Sequence, residues 1–79
     1  MASIVDAERA KERVRERFGR LQGVRGIGVT WDENGDAWIR VNVDRHLRDV
    51  ICKHIPPEFD GVAIELRSVH DFKTFGGNR

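Results

Sequence analysis

The stretch GVRGIGVTWDENGDAWIRVNVD, residues 23–44, decides the fold. Ile27, Val29 and Trp31 alternate with Gly26, Gly28 and Thr30. After a short polar break, Ala37, Ile39, Val41 and Val43 alternate with Trp38, Arg40, Asn42 and Asp44. A period of two puts each apolar set on one side of a pleated strand, so two strands joined by a turn are expected. The length of the turn sets the register. A two-residue turn at Asn34-Gly35 would place Val29 opposite Arg40 and Ile27 opposite Asn42, mixing apolar and polar side chains on one face. A three-residue loop, Glu33-Asn34-Gly35, with Gly35 left-handed, pairs Trp31 with Ala37, Val29 with Ile39 and Ile27 with Val41. That register keeps the apolar sets together and is the one expected.

Upstream, Ala7, Ala10, Val14, Phe18 and Leu21 recur three and four apart among charged residues, the pattern of one amphipathic helix over roughly 4–21. Ser3 and Asp6 have the spacing of a capping box, Gly23 stands where a left-handed residue would close the helix, and Gly19 weakens the last turn. Downstream, Leu47, Val50, Ile51 and Ile55 predict a short second helix stopped by Pro56-Pro57. Asp60-Gly61 predicts a turn, and Val62, Ile64 and Leu66 alternate with Ala63, Glu65 and Arg67 in a third strand. The expected fold class is therefore α+β, a single α-β-β-α-β domain over 1–79 with a core about 4–68. Both helices cover one face of a three-stranded sheet, and the tail 69–79 has lost its periodicity.

Composition narrows the function classes. A chain of 79 residues holds one domain and buries only about 60–65% of its unfolded surface, and a 39% hydrophobic share is too high for a wholly disordered chain. Fourteen Lys and Arg against thirteen Asp and Glu leave a formal charge of +1, which supplies no long-range field to recruit nucleic acid or an anionic membrane. A single cysteine, Cys52, makes no internal disulfide, and there is no apolar run of spanning length, so a cytoplasmic protein with no membrane partner is expected.

With the helices on one face, the other face is left to water. Thr30, Trp38, Arg40, Asn42, Glu65 and Arg67 belong on that face beside Gly26 and Gly28. An indole among charges there either covers the bare backbone at Gly28 or marks a contact with another chain, since Trp and Arg dominate interface hot spots. These six residues are the candidate partner-binding set, with Trp38 and Arg40 as anchors.

The motifs that would carry chemistry do not complete. Asp32, Asn34 and Asp36 match positions one, three and five of a calcium loop, but Ala37 replaces the glycine at position six and Val43 the glutamate at position twelve. On a helix Cys52 and His54 diverge by about 200°, so with His46 they make no zinc site. Cys52 has no oxyanion cradle beside it, and Ser68, His70 and Asp71 do not face one another as a triad would. No catalytic residue, metal site or cofactor is expected.

The runs Gly23 to Val29, Asp32 to Gly35, Ile39 to Val43 and Ile55 to Val62 resemble a small α/β module of bacterial proteins with the pattern GVxGVGxG, a DExG hairpin and IPxxxDGVxV, sometimes found beside trypsin-like peptidase domains. The resemblance covers roughly residues 10–68, with Thr30 in place of the third glycine of the first motif. It implies an accessory or interaction role and carries no catalytic residue. The expectation is a non-enzymatic protein-interaction or self-assembly module using the open sheet face or an edge strand. One alternative is a nucleic-acid-binding domain using the arginines of the first helix with Arg25, Lys73 and Arg79. Another is a peptidase-associated accessory or inhibitor-like domain.

Overall fold

The computed structural model describes residues 2–69. The first helix, α1, spans Ile4–Phe18. Ser3 caps it from extended backbone, its Oγ accepting the Asp6 N–H at 3.1 Å. The helix ends three residues before the expected Leu21. Gly19 takes the last α-type bond, donating to the Arg15 carbonyl, and the chain then turns through Leu21 N–H to Phe18 and Val24 N–H to Leu21. Glycine's low helix propensity lets Leu21 leave the helical path and pack against the core instead. Gly23 does not close the helix. Its φ of +98° turns the chain into the first strand, and a Cβ there would lie 2.7 Å from Ile51 Cδ1 and 2.9 Å from Leu47 Cδ1. Gly23 is thus needed both for its backbone and for the close approach of the second helical segment.

Strand β1, Val24–Trp31, pairs antiparallel with β2, Ala37–Asp44, in the expected register: Trp31 with Ala37, Val29 with Ile39, Ile27 with Val41. Gly35 N–H donates to the Asp32 carbonyl and Asp32 N–H to the Asp36 carbonyl, with Gly35 at φ +85°. A register shift between Val24 and Gly26 leaves Arg25 as an extra residue in β1. Asp44 then caps a 3-10 turn, Arg45–Leu47, which runs into α2, Arg48–Ile51. The second helix is shorter than its apolar spacing predicted. Val50, placed by that spacing on the buried stripe, is 54% exposed, while Ile51 and Ile55 are buried in the core and Leu47 packs against it.

The expectation of three strands is corrected to four. Glu58–Phe59 forms β3 and Val62–Val69 forms β4. Asp60 and Gly61 both take positive φ, closing a two-residue turn that pairs Phe59 with Val62. A two-residue strand behind Pro56-Pro57 is too short to show a period. The sheet order is β1-β2-β4-β3, with β2 and β4 parallel and joined by the helical crossover. Ala37 N–H donates to the Ala2 carbonyl at 2.9 Å, pinning the start of the chain beside β2.

One apolar face carries the core. Ala7, Ala10 and Val14 of α1 and Ile51 and Ile55 of the crossover cluster with Ile39, Val41 and Val43 of β2 and Val62 of β4. Each fully buried Val or Ile contributes roughly 1.5–3 kcal/mol. Both helical segments lie on this side, as expected, and among the described residues nothing covers the opposite face. The tail from His70 onward, with Ser68's would-be partner His70 and with Lys73 and Arg79, lies outside the described residues.

Candidate interaction surface

Strand alternation and the parallel β2/β4 register assemble the open face. Arg40 stands beside Glu65 and Asn42 beside Arg67, while across β1 Thr30 is paired with Trp38 and Gly28 with Arg40. All six expected residues share this face and none is buried. Three of them are tied together. The Trp38 Nε1–H donates to Glu65 Oε1 at 2.8 Å, and Arg40 Nε reaches the same oxygen at 3.3 Å. The Trp38 hydrogen bond is the main cause that holds the Glu65 carboxyl below the usual carboxylate range; burial opposes it, and the Arg40 hydrogen bond and charge and the nearby Arg67 add to the lowering. Trp38 faces outward as expected, but its indole does not lie over Gly28. A Cβ on Gly28 would meet nothing within 4 Å. The indole has turned to the carboxylate on β4, because its N–H finds an acceptor there.

Beside this anchored group lies a bare margin. β1 is an edge strand of eight residues, and among the described residues nothing pairs with its outer side. Asp32 turns both its N–H and its C=O toward the hairpin, so by alternation Thr30 and Gly28 bond to β2, while Ile27, Val29 and Trp31 send their N–H and C=O outward. Ala37 confirms the parity, since its N–H points away from β1 to Ala2. The apolar side chains at the edge are also incompletely covered. Ile27 and Val29 are half-buried while their partners Val41 and Ile39 are fully buried, and Trp31 is 58% exposed. Trp31 is the residue that sequence reasoning missed. Its period assigns it to the covered face, yet at the end of the edge strand it stands in water.

Charge divides along the edge. At its start, a groove of about 320 Å³ between the end of α1 and β1 is lined by Arg15, Gly19, Val24, Arg25, Gly26 and Ile27. At its end stand Asp32, Glu33 and Asp36. The Asp32 carboxylate accepts the N–H groups of Asn34 and Asp36 at 2.9 and 3.1 Å, so the acidic triplet that resembles a calcium loop shapes the turn. Asp44 accepts the His46 N–H and the Arg25 guanidinium, in that order of weight the causes that hold its carboxyl below the ordinary value.

The remaining candidates are spread out. Cys52 is exposed and its thiol donates to the Asp49 carbonyl. Two arginines of α1 are engaged within the chain: Arg13 pairs with Asp60 at 2.8 Å, and Arg17 lies 5.9 Å from the Phe59 ring, which meets Phe18 edge-on. A hollow of about 540 Å³ between α1 and the Asp60-Gly61 turn is lined by Asp6, Arg9, Arg13 and Asp60, with the signs of charge mixed. Among the described residues no group of three or more His, Cys, Asp or Glu is placed to hold a metal ion, and no helix is long and apolar enough to cross a membrane. Comparison with protein-family models, curated proteins and solved structures finds no match for this chain.

Proposed function

We propose that this chain is a non-enzymatic protein-interaction module whose contact surface is the outer edge of β1 together with the adjoining open sheet face. The observation that carries the reading is the unpaired edge of β1, an eight-residue strand with outward backbone donors and acceptors and half-covered apolar side chains. Strand edges of this kind template pairing with another chain unless a charge, proline or bulge guards them. Here the bulge guards only the Arg25 end. Trp38 and Arg40, held by Glu65, offer a preorganised patch beside it, which lowers the entropy lost on contact. The accessory role implied by the resemblance to peptidase-adjacent modules agrees with this reading. The formal charge of +1 favours it over nucleic-acid binding, since it supplies no long-range field to recruit a polyanion.

Gly28→Lys tests the reading, because a side chain there enters open space and sets a charge against any incoming strand. In sedimentation, the parent chain is expected to associate beyond its 9.1 kDa mass as concentration rises. Gly28→Lys should weaken that association with an unchanged circular dichroism spectrum. Association untouched by Gly28→Lys but lost on changing Arg9, on the solvent side of α1, would sink the proposal.

A further inference from the structure

We infer that the partner of β1 is the β1 strand of a second copy, antiparallel and centred on Val29, with Trp31 of each chain seated in the groove at the start of the other's strand. This rests on the interaction reading above and names its partner and register.

The backbone limits the choices. Within β1, Ile27, Val29 and Trp31 present N–H and C=O outward, so a two-fold antiparallel pairing of this strand must match these residues with one another. Centring on Val29 sets Val29 against its own copy and Ile27 against Trp31 of the second chain, and every one of those outward groups gains a partner. Centring on Gly28 sets Ile27 against Val29 and leaves Trp31 facing the bulge at Arg25. Centring on Thr30 brings Glu33 against Ile27, an acid on an apolar edge.

The side chains favour the same register. Opposite Ile27, the exposed Trp31 of the second copy arrives on the helix side of the sheet. There the groove of about 320 Å³ is lined by Arg15, Gly19 and Ile27 and can receive an indole. Glu33 of that copy then lies beside Arg25, whose side chain is half exposed. Antiparallel pairing meets acidic tip with basic start twice, by symmetry, whereas a parallel pairing would stack like charges. On the open face Gly28, with nothing within 4 Å of where a Cβ would stand, faces Thr30 across the junction. A single strand pair with these flanks falls at the small end of interface sizes, below about 1,200 Å², so the dimer forms at micromolar concentration or above rather than permanently.

Cross-linking reads the register. In a Cys52→Ser background, which removes the exposed thiol, Gly28→Cys and Thr30→Cys chains are oxidised separately and mixed. In the Val29-centred pair these positions are directly opposite at a Cα separation of about 4.5 Å, inside disulfide range, while each position lies about 7–8 Å from its own copy, outside it. The mixture is expected to form the disulfide dimer about tenfold faster than either chain alone. Trp31→Ala, at an exposed site, should slow it with no loss of helicity. Faster self-linking of Gly28→Cys or of Thr30→Cys would overturn the register. Gly28→Lys sensitivity in sedimentation without a mixed disulfide would overturn it too while leaving the interaction reading in place. A chain that stays monomeric up to about 1 mM, above the range expected for a small interface, would overturn self-pairing altogether.

Discussion

Glu65 shows how a surface carboxylate can bind two strands together. Its Oε1 takes the indole N–H of Trp38 and the guanidinium of Arg40, both on β2, so the bonds bridge the parallel junction on the side that the helices do not cover. Strand alternation made the outward position of Trp38 legible in the sequence. Its acceptor was not, because that depends on the offset of β4 against β2, which no local pattern encodes. Since the native Glu65 carboxyl sits below its unfolded value, the folded state holds fewer protons in the acid range. The stabilisation is therefore complete above the unfolded value and is lost as pH falls through the lower native one. Glu65→Gln keeps an acceptor for Trp38 and removes the titration. Urea unfolding at about pH 6 and about pH 3 should show a smaller loss of stability on acidification in Glu65→Gln than in the parent, with Asp44 still contributing to both. Equal losses would mean that Glu65 titrates as a free carboxylate.

At the scale of elements, the hairpin was the most legible part. The clash of Val29 with Arg40 in the shorter turn excludes one register, and Gly35 supplies the left-handed residue the longer one needs. Element ends were less so. α1 stops at Phe18 because Leu21 gains more from the core than from another helical turn, and that competition is tertiary. β3 is not legible in the sequence because Glu58 and Phe59 are too few to display a period, although Asp60-Gly61 between Phe59 and Val62 has the composition of a two-residue hairpin turn. Gly23 joins α1, β1 and the crossover, and its role there follows from space rather than from helix capping. Gly23→Ala would need a left-handed alanine and would press on Ile51 and Leu47. A destabilisation of about 2–4 kcal/mol is expected from strain and overpacking together, read as a lower urea midpoint at unchanged slope. A midpoint equal to the parent's would show that the crossover can move away freely.

For the molecule as a whole, the α+β class and the single covered face followed from two amphipathic segments and alternating strands. The order β1-β2-β4-β3 did not, since a parallel pair with an outer two-residue strand arises from the path of the crossover. That order puts β1 at the sheet's edge, with nothing paired to its outer side among the described residues, and so defines the surface on which the functional reading rests. The six open-face residues were all placed by parity, yet the edge itself, with its outward amides and the half-stranded Trp31, emerged only once the neighbours of β1 were known.

The most direct measurement is amide hydrogen exchange along β1 at low and high protein concentration. An alternation is expected. Gly28 and Thr30, bonded to β2, are protected at any concentration, whereas Ile27, Val29 and Trp31 exchange freely when dilute and slow by about tenfold or more when concentrated. If Ile27, Val29 and Trp31 exchange at the same fast rate at every concentration, the edge of β1 is not where copies of this chain meet.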